Sequence, residues 1–246
     1  MTLFPYTTLF RSFRHLNSRP LLAGLLFGLA SYKPHLGLLL PFALVAGGHW
    51  RALAAAGIAT ASLALLAGLS FGFASWEAFF RNLSAIAAIV RDSPDLWPKM
   101  ASVFATARML GVPDGAAMTL QATASAAVLV ATAWAWARPG EFELKVALVV
   151  AGTLIVSPYL MNYDLVLLGI PVALMARRAI ERGEQAGAAM LLAVSLTPFL
   201  LGISVLTRVQ VVAPMLWFFY GAILLTLARS SAREAAPGSI APVRAA

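Results

Sequence analysis

The chain has 246 residues, of which 61% are hydrophobic and 11% charged, with a formal net charge of +8 at pH 7 and no cysteine. Soluble domains carry about 25% charged residues, so this composition excludes a soluble globule and predicts several membrane-spanning helices. The lack of cysteine excludes disulfides and cysteine metal sites, and the lack of strand-like alternation argues against an outer-membrane barrel. Because Lys and Arg collect in the cytoplasmic loops of membrane proteins, the positive charge does not predict nucleic-acid binding.

The first stretch, TLFPYTTLFRS at residues 2–12, is too short and too polar for a spanning helix. It matches, codon by codon, the in-frame translation of a common sequencing-library adapter. We therefore expect residues 1–12 to be foreign to the natural protein, whose own N-terminal part would precede Phe13, and we leave them out of the predicted fold. A natural N-terminal tail is the alternative.

Residues 21–48 form the first apolar region, which is flanked by basic residues and interrupted at Lys33-Pro34. Proline removes a backbone hydrogen bond and disfavours helical geometry in the residue before it. We therefore predict two short helices of about 13 residues, each too short to cross the ~30 Å hydrocarbon core alone. They form a broken hairpin, with its basic ends inside and its tip, residues 32–35, within the membrane or near its outer face.

Residues 52–73 predict a span outward, and residues 116–137 predict a span back. The segment between them, residues 74–115, is more polar and contains two predicted helices, the second around residues 99–110. The first has apolar residues at spacings of three and four, which is typical of an amphipathic helix that binds in the membrane interface. These residues are Trp76, Phe79, Phe80, Leu83, Ile86 and Val90.

Residues 144–178 repeat the first pattern, since they are apolar, basic at both ends and broken in the middle by SPYLMNYD, residues 157–164. This pattern predicts a second broken hairpin with that segment at its outer tip. Spans at residues 186–206 and 211–228 follow, and residues 229–246 predict a disordered cytoplasmic tail.

The predicted fold class is therefore all-α: a polytopic membrane domain over residues 13–228, with two broken helical hairpins and an amphipathic outer segment. The basic inner ends predict a multi-pass protein of the cytoplasmic membrane.

Lys33 and Asp164 stand out, because a charge in the middle of a membrane helix costs at least ~2.5–3.5 kcal/mol. Each could snorkel to the interface. Alternatively, since irregular backbone at membrane depth is tolerated around a cavity, both tips could face one cavity. Lys33 would then bind a lipid-linked phosphate, Asn162 and Asp164 would hydrogen-bond sugar hydroxyls, and a tyrosine, Tyr159 or Tyr163, would stack on a sugar.

Three other candidates carry two interpretations each. His35 is either a polar residue at a helix start or a substrate contact, and Arg81 and Arg91 are either solvated or bind the donor phosphate or the acceptor. The sequence has no GxGxxG motif, no Walker lysine and no metal-ligand triad, so it predicts no cofactor, no metal and no cytoplasmic nucleotide site.

Three segments resemble the later part of glycosyltransferase family 87: GLLFGLASYKPHLGLLLPFALVAGGHWRAL, FGFASWEAFF and SPYLMNYDLVLL. The resemblance implies a GT-C-type enzyme that is similar to mannosyltransferases. Such an enzyme transfers a hexose with inversion from a polyprenyl-phosphate donor to a lipid or glycan acceptor outside the cytoplasmic membrane. The general base of these enzymes lies in the first outer loop, which we expect upstream of this sequence. We therefore name no catalytic residue and expect this fragment to be inactive.

A secondary transporter or a flippase for lipid-linked sugars is the alternative, because paired broken helices also mark substrate sites in transporters. The amphipathic segment 74–115 favours an enzyme, which needs an interfacial platform to reach a lipid substrate. A purely structural membrane subunit would not need Lys33 and Asp164 at its helix breaks.

Overall fold

The computed structural model describes residues 4–33, 37–183 and 194–235, and within these ranges the protein is all-α. Short 3-10 helices lie at Ala30–Tyr32, Trp97–Lys99 and Asn162–Leu168, and one isolated antiparallel bridge joins Met100 and Met161. The α-helices are α1 (Phe4–His15), α2 (Pro20–Leu29), α3 (Leu40–Ala46), α4 (Trp50–Phe71), α5 (Ala74–Arg91), α6 (Val103–Met109), α7 (Asp114–Ala137), α8 (Phe142–Val156), α9 (Gly169–Arg182), α10 (Thr197–Thr207) and α11 (Val212–Ala235).

Within the described residues, three helices are long and apolar enough to cross a membrane: Trp50–Phe71, Asp114–Ala137 and Val212–Ser231. They coincide with the spans predicted at residues 52–73, 116–137 and 211–228. The protein is therefore a membrane protein with several apolar helices, as the composition predicts.

The predicted first hairpin corresponds to α2 and α3, which have 10 and 7 residues rather than about 13, and α2 packs on α4. Gly24 lies against Ala52 and Gly28 lies against Ala59, so the two helices run in the same direction. The chain between two such helices must return, and α3 is the returning segment. Small residues let the two backbones approach closely, as in other membrane helix pairs with the small-xxx-small spacing.

The first helix of the second broken hairpin, α8, lies at the centre of the molecule. Helix α8 is buried along almost its whole length, including Leu144 and every residue of 146–155. It packs against α7, α9 and α11. A helix that is apolar on all sides is expected to be surrounded by other helices. The chain leaves α8 at Val156 and returns through the 3-10 helix Asn162–Leu168 and α9.

The predicted amphipathic helix is present as α5. None of its residues is buried, and its large apolar side chains remain exposed, among them Phe79, Phe80 and Leu83. The Trp76 indole donates a hydrogen bond to the Ala64 carbonyl of α4 at 3.2 Å, which anchors the start of α5 to the preceding span. The exposed apolar face is what an interfacial helix presents to lipid.

Two segments differ from the expectation. Residues 1–12 were left out of the predicted fold, but residues 4–15 form α1 and pack on α2, where the rings of Phe13 and Phe27 lie 5.0 Å apart. Helix α11 continues through Ala235, so residues 229–235 are helical and not a disordered tail. Their Ala, Arg and Glu residues have high helix propensity, which explains the continuation. The remainder of that tail, and the start of the 186–206 span, lie outside the described residues.

The polar contacts at the helix ends fall into two groups, one at each end of the molecule, as the predicted topology requires. At one end Arg178 binds Glu141 at 3.2 Å, and the Ser231 hydroxyl donates to the Pro139 carbonyl at 2.8 Å. At the other end Arg208 binds Asp95 at 2.9 Å. We predict that the Glu141 end faces the cytoplasm, because the basic residues concentrate there.

Single cysteines test this orientation, since the chain has none of its own. Asp92 is exposed at the end of α5, and Glu181 is exposed near the end of α9. In intact cells, we expect an impermeant thiol reagent to label Asp92→Cys and to leave Glu181→Cys unlabelled until the cells are permeabilised. Labelling of Glu181→Cys alone in intact cells would reverse the topology.

Candidate functional site: an ion pair that joins the two helix breaks

An ion pair connects the tips of the two broken hairpins. The Lys33 ammonium lies 2.5 Å from Oδ1 of Asp164, a residue 131 positions away in the chain. The side chain of Asp164 is 1% exposed and that of Lys33 is 26% exposed. The two residues that the sequence singled out by the cost of their charge are therefore partners.

Local structure places each partner at a break. Lys33 caps the 3-10 helix Ala30–Tyr32 that ends α2, and a proline follows it in the sequence. Asp164 lies in the first turn of the 3-10 helix Asn162–Leu168, where its backbone N–H donates to the Met161 carbonyl at 3.0 Å. Neither residue lies inside a regular α-helix. Backbone groups that lack α-helical hydrogen bonds are therefore confined to the irregular segments at the two breaks.

Tyr163 lies beside this ion pair, and Asn162 precedes it in the same 3-10 helix. The Lys33 ammonium lies 4.7 Å from the centre of the Tyr163 ring, which is a cation–π geometry. Tyr163 is mostly exposed. The Asn162 side-chain carbonyl accepts a hydrogen bond from the Tyr163 backbone N–H at 2.9 Å, so Asn162 shapes the segment locally.

This geometry bears on the two interpretations of Lys33. Its ammonium does not simply snorkel into water, because it neutralises a buried carboxylate. Burying such a pair is costly, and removing one partner leaves an uncompensated buried charge. A buried ion pair adds little net stability, because the desolvation of its two charges offsets their attraction. This balance favours a role of the ion pair in binding or catalysis.

The segment that carries Asp164 is fixed by contacts that sequence reasoning missed. The Ala101 N–H donates to the Leu160 carbonyl at 3.1 Å, and the Gln210 side chain donates to the Met100 carbonyl at 2.6 Å. The buried Gln121 accepts from the Phe104 N–H and donates to the Ile155 carbonyl, both at 3.0 Å. A glutamine in the middle of an apolar span was a usable signal, because such residues must find partners.

Tyr159 and Arg91 lie in a different group of residues, around α6. The Tyr159 ring packs edge-on against Phe104 at 5.7 Å. Arg91 lies 3.8 Å from Asp114, which the sequence analysis did not select. Burial raises the pKa of the Tyr159 hydroxyl; the positive charge of Arg91 opposes this shift and the negative charge of Asp114 adds to it.

One further candidate, Arg81, is not brought to the ion pair. Arg81 is exposed and pairs with Glu77 at 2.8 Å, one helical turn earlier on α5. His35 lies outside the described residues.

A mostly apolar cavity of about 440 Å³ adjoins the first helix break. Residues on both sides of Lys33, Ala30 and Ser31 before it and Gly37 and Leu38 after it, line one part of this cavity. Side chains of α1, α2, α3 and α4 line the rest. The cavity therefore lies next to the first helix break, and its lining suits an apolar chain rather than a polar solute.

The sequence model of glycosyltransferase family 87 matches residues 2–158, more than half of the chain. The chain belongs to this family. It is a membrane glycosyltransferase, which sets aside the transporter and flippase alternative. Neither a curated protein nor a solved structure matches the chain at significant similarity.

The family match covers some of the candidate residues and not others. It includes Lys33, Arg81 and Arg91, and it ends before Tyr159 and the whole Asn162–Leu168 segment. It also includes the adapter-like residues 2–12. The partner of Lys33 therefore lies outside the matched part, and the structure alone joins Asp164 to it.

Proposed function

We propose that this family 87 enzyme transfers mannose from a polyprenyl-phosphate donor to a lipid or glycan acceptor outside the cytoplasmic membrane. The observation that carries the proposal is the ion pair of Lys33 and Asp164, because it brings two irregular membrane segments and their polar residues to one place. Membrane lipids and the donor lipid would reach this place from the bilayer.

The proposed reaction needs a positive charge beside the donor phosphate. The acceptor oxygen forms a bond to the anomeric carbon of the sugar, and the bond between that carbon and the phosphate oxygen breaks. The electron pair leaves with the polyprenyl phosphate, and the acceptor proton passes to a base. Lys33 would stabilise the charge that develops on the leaving phosphate, as a fixed cation in a water-poor site does effectively.

The apolar cavity supports a lipid donor. A polyprenyl chain is apolar along its whole length, and the cavity between α2, α3 and α4 is lined mostly by Leu, Phe and Ala side chains. Because Ser31 and Gly37 line it on either side of Lys33, a chain inside it would place its phosphate near the ammonium. Helix α5 supports the same proposal, since its exposed aromatic residues can hold the enzyme at the lipid surface.

The test uses the protein expressed from its complete reading frame in membranes. We expect radiolabelled mannose to pass from polyprenyl-phosphate mannose to a lipid or glycan fraction. We expect no transfer from a nucleotide-linked mannose when synthesis of polyprenyl-phosphate mannose is blocked. Direct use of the nucleotide sugar under that block would contradict the proposal, and efficient transfer of glucose but not mannose would contradict the choice of sugar.

A further inference from the structure

A second pocket lies at the Glu141 end of the molecule, away from the ion pair. It has a volume of about 500 Å³ and lies between α1, α8 and α9. The Trp136 ring lies 6.3 Å from the Phe13 ring of α1, and its indole donates a hydrogen bond to the Lys145 carbonyl of α8 at 3.1 Å. Val146, which lines the pocket, precedes the last residue of α8 by about 15 Å along the helix axis. The pocket and the break after α8 therefore lie at opposite ends of this helix.

Each of the three helices contributes a charged residue at the mouth of this pocket and an apolar residue one turn deeper. The pairs are Arg14 with Phe10, Glu143 with Val146, and Arg177 with Leu174. Val146 is 3% exposed, whereas the Arg177 side chain is 58% exposed. The pocket is thus apolar inside and charged at its mouth, which matches a lipid with a charged headgroup and an acyl chain. Of its lining residues, only Phe10 belongs to the adapter-like stretch.

The charges at the mouth leave one arginine available. Arg177 is neutralised by Glu143 at 2.5 Å and by Glu181 at 3.1 Å. The Arg14 guanidinium, by contrast, has no ion pair or hydrogen bond within the part of the chain that the structure describes. A guanidinium binds phosphate oxygens through two parallel hydrogen bonds. Because Glu143 already has an arginine partner, the uncompensated charge is positive, which favours an anionic headgroup over a zwitterionic one.

We infer that this pocket binds an anionic phospholipid of the leaflet at the Glu141 end, with its phosphate on Arg14 and an acyl chain against Val146 and Leu174. Phosphatidylglycerol has the matching chemistry, since its single negative charge neutralises Arg14 and its hydroxyls can hydrogen-bond the Asn17 amide at the mouth. The bound lipid would hold α1 against α8 and α9. Neither the sugar donor nor the acceptor takes part, so the inference is independent of the proposed function.

Native mass spectrometry tests the inference, because it resolves each lipid that is bound to the purified protein in detergent. We expect the first phosphatidylglycerol to bind about tenfold or more tightly than phosphatidylcholine, and Arg14→Gln to remove most of this preference. Arg14→Lys should keep part of it, since the charge remains. The matched control is Arg19→Gln, which removes the same charge from an exposed residue outside the pocket lining and should bind as the parent does.

Five results would overturn the inference. They are equal affinity of the parent for phosphatidylglycerol and phosphatidylcholine, parent-like binding by Arg14→Gln, an equal loss in Arg19→Gln, phosphatidylethanolamine binding as tight as that of phosphatidylglycerol, and one-for-one displacement of phosphatidylglycerol by polyprenyl phosphate. The third result would show general attraction to a basic surface, and the last would make the pocket a donor site. Glycerophosphoglycerol, the headgroup without acyl chains, should not compete; if it competes fully, the apolar wall has no role. None of these measurements depends on sugar transfer, so a failure here leaves the proposed function standing.

Discussion

Replacing Lys33 with alanine is expected to reduce the free energy of unfolding by up to about 3–5 kcal/mol, because it removes the ammonium that lies 2.5 Å from the buried carboxylate of Asp164. The snorkelling interpretation would predict a milder result, since an alanine is cheaper in lipid than a snorkelling lysine. The ion pair reverses that expectation. The midpoint of thermal unfolding in nanodiscs measures the loss, and Asp164→Asn should lower it as well.

A double variant separates stability from function. Lys33→Met with Asp164→Leu removes both charges and should recover most of the lost stability, because buried ion pairs can often be replaced by apolar residues. Its transferase activity should stay about 10- to 150-fold below the parent, since the contact of Lys33 with the donor phosphate is still missing. Parent-like activity in the double variant would remove Lys33 from the donor site.

The exposed ion pair of Arg208 and Asp95 is the matched control. Its side chains are 65% and 85% exposed, and it lies at the same end of the molecule. Replacing both residues by the same apolar pair should change neither the unfolding temperature nor the activity, because exposed pairs contribute little. An equal effect at both pairs would show that burial is not the cause.

Gly28→Ala is expected to destabilise the protein by about 1–3 kcal/mol, although alanine is the better helix former by ~0.8–1 kcal/mol. A Cβ atom at Gly28 would lie 2.4 Å from the Ala59 Cβ and 2.8 Å from the Ala56 carbonyl oxygen. The two backbones would have to separate. Since α2 leads directly to Lys33, the separation should also disturb the ion pair and lower transferase activity.

Gly57 on α4 supplies the control for this prediction. It is exposed, and a Cβ there would meet nothing within 4 Å. We expect Gly57→Ala to leave thermal unfolding unchanged or to raise its midpoint slightly, because only helix propensity changes. If Gly28→Ala and Gly57→Ala behave alike, close packing of α2 on α4 does not hold the first hairpin.

The sequence by itself determined the class of protein, the order of its helices and the positions of both breaks. These properties depend on the free energies of short segments. An apolar run must be buried in lipid or in a protein core, proline interrupts a helix, and a charge in an apolar segment is unfavourable unless the fold or the function requires it. Lys33 and Asp164 were recognisable for that reason alone. The end of α11 was misplaced because an Ala-rich helix can extend past its apolar stretch.

Only the tertiary structure decided which of these residues meet. The contact between Lys33 and Asp164 spans 131 positions and depends on the parallel packing of α2 on α4 and on the position of the connection after α8. No periodicity in the sequence encodes such a distance. For the same reason the sequence selected Arg81 as a site residue, whereas the structure pairs it with Glu77 on the same helix.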